Sequence, residues 1–230
     1  MTSLLNSEIF ILTLVIGVYL LSVWLYRKTR LNLLNPLLVS IPVLVAVTHV
    51  LGISYESFQK GSRIISFMLG PTVVVLGYLL YEQVAHLREN AVSIITSVFV
   101  GCVTGILSVI FIARYFGADH ALIVSLEPKS VTTPIAMSIA EKSGGIPSIA
   151  AVVVIVVGIF GGIVGPFVLE KLGIRSKIAR GLALGSAAHG LGTARAMELG
   201  TIEGAISGLA IGVMGIMTAI LVPVIEMILN

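Results

Sequence analysis

The sequence predicts an all-α integral membrane protein of about eight hydrophobic segments. Three observations carry that expectation. Of the 230 residues, 57% are hydrophobic and only 11% charged, with a mean hydropathy of +1.10; soluble domains run near ~25% charged. Apolar runs of about 20 residues, long enough to span a bilayer, fill nearly the whole chain. Proline and glycine breaks fall inside several runs, at matching places in two halves. Residues 1–230 therefore read as a single membrane domain with almost no soluble portion. The net charge of +3 is small and lies mostly in loops. It signals topology rather than nucleic-acid binding. Cys102, in an apolar run, is the single cysteine, which leaves no disulfide framework and no metal cluster.

The first segment, about Ile9–Tyr26, ends at Arg27, Lys28 and Arg30. The start of the chain lacks a basic region and a small-residue cleavage site, so this run is expected to be retained. The second, about Leu33–Ile53, has Pro36 near its start and Pro42 inside, which predicts a kink. A polar link covers 54–63. The third, about Ile64–His86, holds Leu69-Gly70-Pro71-Thr72 and Leu76-Gly77, read as a mid-membrane break. The fourth, about Ala91–Tyr115, carries Gly101, Thr104 and Gly105 on one side, which predicts close helix contact. The fifth, about Ala121–Lys142, contains the polar run Ser125–Ala136. The sixth, about Ser148–Leu172, has Gly158, Gly161, Gly162 and Gly165, read as packing glycines like those at Gly208–Gly215. The densest basic cluster follows: Lys171, Arg175, Lys177 and Arg180. The seventh, about Gly181–Leu199, is too polar and glycine-rich for an ordinary lipid-facing helix. The eighth, about Ala205–Leu229, closes the chain.

The halves resemble each other. Glu89-x-Ala91-Val92-Ser93 with Gly101-x-x-Thr104 recurs as Glu203-x-Ala205-Ile206-Ser207 with Gly215-x-x-Thr218. Leu69-Gly70 and Leu76-Gly77 recur as Leu184-Gly185 and Leu191-Gly192. Residues 1–118 and 119–230 thus read as two repeats. The two basic loops fall on one side if one intervening segment, with segment three the candidate, enters and leaves on the same side; segment seven is then its repeat partner. The repeats are then inverted, and paired broken segments point to a transporter's binding site.

The polar run gives the chemistry. Thr133-Pro134 signals a helix start, with threonine as cap and proline at the first helical position. Residues 121–126 and 134–142 are expected as half-helices, with Pro128–Thr132 unwound between them. A helix N-terminus favours an anion, and Lys129 adds a full charge. Segment seven is expected to break at Gly190-Leu191-Gly192-Thr193, with Arg195 suited to bidentate carboxylate recognition. Lys129, Ser130, Thr132, Thr133, Ser186, His189, Thr193 and Arg195 are the candidate substrate-binding residues for a small carboxylate. Glu127, His189 and Glu198 are the ion-coupling candidates. Simpler roles compete: Lys129 neutralising Glu127, Arg195 pairing with Glu198, the hydroxyls satisfying backbone groups, and His189 as a hydrogen-bonded packing residue. His49, His86 and His120 lie near segment ends and receive no role. With no Walker motif, spaced His/Cys set or nucleophile elbow, neither catalysis nor a cofactor or metal is expected.

The stretches Pro128–Ala136 and Ala179–Arg195, with Asn35-Pro36-Leu37-Leu38 and Tyr81-Glu82-Gln83, resemble the LrgB/CidB family over nearly the whole chain. The resemblance implies an antiholin-like or holin-like bacterial membrane protein linked to murein hydrolase control and autolysis, beside a small LrgA/CidA-like membrane partner. It also implies carriage of small monocarboxylates, since plant relatives move glycolate and glycerate and bacterial members are tied to pyruvate. Two classes of function stand: a secondary carboxylate transporter, and a holin-modulating protein acting through assembly in the bilayer. A homodimer is expected for a transporter of this size.

Overall fold

The computed structural model describes residues 6–29, 31, 34–82 and 91–229. Arg30, Gln83, His86 and Glu89 lie outside them, and with Glu89 the start of the first repeat motif. Among the described residues every regular element is helical. Four helices are long and apolar enough to cross a membrane. The chain divides into two units, Met1–Thr72 and Val73–Asn230.

The first unit holds α1 (Glu8–Thr29), α2 (Pro36–Val50), α3 (Tyr55–Gly61) and the beginning of α4 (Arg63–Glu82). Asn35 caps α2 by accepting from the Leu37 N–H at 3.0 Å, and Pro36 stands in the first turn, where its missing donor costs nothing. The polar link is not loop throughout. Ser54 caps α3 by accepting from Ser57 N–H at 3.2 Å. Gly61 then sits so close to Ile11 of α1 that an added Cβ would lie 2.6 Å from the Ile11 Cβ. That approach explains why a short polar stretch earns a helix: it has a buried partner. The break expected in the third segment is absent. α4 runs as one helix through Gly70-Pro71. An interior proline deletes one backbone bond and bends a helix without having to end it.

The second unit continues with α5 (Ala91–Tyr115), α6 (His120–Leu126), α7 (Thr133–Lys142), α8 (Pro147–Lys171), α9 (Lys177–Leu199) and α10 (Thr201–Leu229). Ile94, Val98, Cys102, Ile106 and Ile110 of α5 are all buried. Their spacing of four puts them on one stripe. They pack in one core with Ala136 and Ile139 of α7 and with Ile206, Leu209, Val213 and Val222 of α10. Gly101 departs from the packing expectation: a Cβ there would have nothing within 4 Å. Gly208 is likewise in open space, whereas the α8 glycines are contact points.

The fifth segment breaks where the sequence predicts. α6 ends at Leu126, α7 begins at Thr133, and 127–132 are turn and coil. The cap is one residue earlier than expected. Thr132 takes the extended N-cap conformation, Thr133 is already helical and Pro134 sits in the first turn. Asp119 caps α6 through Leu122 N–H at 2.8 Å. Ser125 donates to the Ala121 carbonyl at 2.6 Å and accepts from Ile146 N–H at 2.7 Å. It thereby fastens the turn after α7 to α6. That turn reverses at Gly144, whose φ of +84° suits a residue without a Cβ.

Candidate functional site

α9 is the least regular helix of the second unit and shapes the site. Its backbone leaves helical geometry at Ala188 (φ −129°, ψ 15°) and His189 (φ 41°, ψ −130°). His189 is the non-glycine residue with positive φ among those described. Such a conformation costs on the order of 1–3 kcal/mol and persists only where its surroundings hold it. The break therefore lies just before the glycines at 190 and 192.

Beyond the break the chain turns back. A Cβ on Gly192 would overlap the Leu184 carbonyl, although eight residues of unbroken helix would separate them by about 12 Å. Contacts with α10 give the same direction. Gly181 lies against Glu203 and Gly185 against Ser207, so the first half runs parallel to that stretch of α10. In the second half Thr193 meets Ser207, hydroxyl to hydroxyl at 2.7 Å, and Met197 meets Gly204, so the direction is reversed. α9 is a helical hairpin with His189 at its tip.

α8 supports the first half and the tip. Gly165 receives Leu184, Gly161 receives Ala188, and Gly158 receives the His189 ring, 2.5 Å from where a Cβ would stand. Because Gly158 has no side chain, the buried ring reaches the Val154 carbonyl, to which Nε2 donates at 2.9 Å. The packing role of the α8 glycines and the hydrogen bond of His189 are thus one arrangement.

A cavity of 890 Å³ lies between α5, α8, the first half of α9 and the α6–α7 break. Along α5 it is lined by Ser93, Ser97, Gly101 and Gly105, a path of about 18 Å. Lys129 and Ser130 stand at the Gly105 level, Ser176 beside the α9 start, and Ser186 further along that hairpin. Lys129 Nζ donates to Ser130 Oγ at 3.2 Å and lies 3.6 Å from where a Gly105 Cβ would be. Among the described residues no carboxylate comes within 4.0 Å of it, Glu127 included.

The candidate residues therefore separate. Lys129, Ser130 and Ser186 share the cavity. Thr132 and Thr133 stand at the uncapped start of α7, where the buried Thr132 hydroxyl has no hydrogen-bond partner among the described residues. Thr193 and His189 are engaged with Ser207 and Val154 as described. Arg195 does not join Lys129: its guanidinium pairs with Glu198 one turn on, both partly exposed. Those two lie towards the base of the hairpin, because the second half of α9 runs back from the tip. Glu127 is buried, and Glu226 of α10, which the sequence reading passed over, lies beside it. An acid inside an apolar run is itself a signal; Glu226 sat too near the chain end to attract one. Among the described residues no group of three or more His, Cys, Asp or Glu could hold a metal ion.

The LrgB-like family model matches residues 15–228. Uncharacterized protein YxaC of Bacillus subtilis is 38% identical over 217 residues, 94% of either chain. Holin-like protein CidB of Staphylococcus epidermidis is 33% identical over 219 residues, 95% of this chain and 96% of its own. Antiholin-like protein LrgB of Bacillus cereus is 33% identical over 191 residues, 83% of each. No solved structure matches.

Proposed function

This chain belongs to the LrgB-like family, and we propose that it is a multi-pass protein of the bacterial cell membrane that carries small monocarboxylates of the pyruvate, glycolate and glycerate class. The observation that carries this reading is Lys129. Its ammonium group is presented to an 890 Å³ cavity by an unwound loop and has no ion-pair partner among the described residues. A cation held without a carboxylate in an apolar surrounding is costly unless a ligand supplies the anion. Ser130 and Ser186 add hydroxyl donors for the same anion, and the α7 N-terminus adds its partial charge from behind the loop. Purified protein in vesicles is expected to take up labelled pyruvate, glycolate or glycerate faster than protein-free vesicles. Uptake of none of the three removes the reading.

The names of two relatives, holin-like and antiholin-like, favour a second reading. In it the chain regulates murein hydrolase activity through assembly in the membrane, as a homodimer or with a small LrgA/CidA-like membrane partner. Altered autolysis in cells whose protein moves no carboxylate supports that reading over the first.

The hairpin bears on topology. We infer that α9 enters and leaves the membrane on one side, although its expected repeat partner, the third segment, runs as the single helix α4. Cysteines placed at Arg175 and Thr201, both exposed, in a Cys102→Ser background are expected to label from the same side. Labelling from opposite sides overturns the hairpin as a re-entrant element.

A further inference from the structure

The α6–α7 loop is reached by polar groups from its other flank. α6 is about 10 Å long, with His120 at its start and Glu127 just past its end. Glu226, in the last turn of α10, bridges the two. Its Oε2 lies 3.4 Å from His120 Nε2, and its carboxyl lies beside that of Glu127. Exposure falls steeply along the line: 53% for the His120 side chain and 10% for that of Glu226, and 2% for Glu127 as a residue. Neither Glu127 oxygen makes a hydrogen bond of ordinary geometry. Arg114, in the last turn of α5, also acts on Glu127 electrostatically. Asp119, next to His120, is occupied in capping α6.

α5 serves as a ruler for both features. The cavity follows it from Ser93 to Gly105, where Lys129 stands. Arg114, whose charge acts on Glu127, stands about 14 Å further along the helix. Cavity and acid line thus meet the same loop from opposite directions, and Glu127 precedes Lys129 by two positions. Chains of Glu and His within membrane segments are the ordinary material of proton relays.

On the transport reading above, we propose that His120, Glu226 and Glu127 form a proton path from the membrane face at the start of α6 to the Lys129 loop, and that a proton moves with the carboxylate. His120, whose side chain is open at that face, takes up a proton from water and gives its Nε2 proton to the Glu226 carboxylate, so that it ends as it began. Glu226 passes a proton to Glu127. Glu127 releases it at the loop, to water or to the carboxylate held there, and both acids regain their starting charge. No bond other than those to the proton is made or broken.

Vesicles loaded with a pH dye test this. Pyruvate-driven proton flux and labelled-pyruvate counterflow are read on the same preparation, each corrected for protein-free vesicles. Glu127→Gln and Glu226→Gln are expected to lower the protein-dependent proton flux about tenfold while counterflow stays within about twofold of the unsubstituted protein. Undiminished proton flux in both variants overturns the path. So does parallel loss of counterflow and proton flux, which marks a structural or ligand-contact role. If the unsubstituted protein shows no counterflow, the transport reading fails by itself. The path is then read alone, from proton entry driven by a valinomycin-clamped potassium gradient. Entry faster than in Glu127→Gln upholds it, and equal entry overturns it.

Discussion

Gly192→Ala is expected to cost about 3 kcal/mol or more and to abolish a monodisperse product. A methyl at this position would overlap the Leu184 carbonyl and lie 2.8 Å from the Ala188 Cβ. The first obstacle is backbone, which no rotamer change can move aside. Relief would require the two halves of α9 to separate, taking Thr193 off Ser207 and the tip off α8. The control is two residues away. A Cβ on Gly190 would have nothing within 4 Å, so Gly190→Ala is expected to leave stability within about 0.5 kcal/mol. Thermal stability in detergent, read by size-exclusion fluorescence, checks both. Equal behaviour of the two variants would refute the folded-back geometry.

Lys129→Ala is expected to reduce carboxylate uptake at least about tenfold, with folding intact. Removing the side chain leaves only serine hydroxyls as the polar side chains of the cavity, with Ser130 and Ser186 among them. Neutral hydroxyls do not replace a charge-assisted contact in an apolar surrounding. The loop itself should survive, because its geometry rests on Ser125, on the Thr132–Pro134 start of α7 and on the core around Val131 and Ala136. Lys129→Arg is expected to keep part of the uptake, since charge remains although the ammonium's compact shape does not. Full uptake by Lys129→Ala at normal expression removes this residue from the site. Arg195→Ala is expected to change uptake less, because its guanidinium is engaged with Glu198 near the base of the hairpin.

The break at 127–132 was legible because its signals are local. A threonine before proline restricts the chain over two or three residues, and no distant contact is needed to read it. The α9 break was legible as a region and misread as a position. Two glycines at 190 and 192 suggested that the chain turns there. The turn is instead made by His189, held in a strained conformation by its bond to Val154. Gly192 serves a neighbour's carbonyl: glycine marks where a backbone comes close as often as where one bends. The same limit explains Arg195. Its local partner at i+3 was visible, while its distance from Lys129 depended on the direction of the second half of α9. Pairings such as His120 with Glu226 join residues far apart in sequence, and only the tertiary fold brings them together. The continuous α4 shows the converse, that a Gly-Pro pair permits a break without compelling one.

The fastenings of α9 have a mechanical consequence. The hairpin is pinned to α8 through His189 and Val154, and to α10 through Thr193 and Ser207. One pin is at the hairpin tip and the other a turn back from it, so neither α8 nor α10 can slide past the hairpin without breaking a hydrogen bond. α5 is attached differently, by a greasy stripe and one weak thiol–hydroxyl contact between Cys102 and Thr218 at 3.3 Å. Its cavity side, smooth at Gly101 and Gly105, offers little to catch on. The compliant seam of this unit therefore runs along α5, the same line on which Lys129 waits.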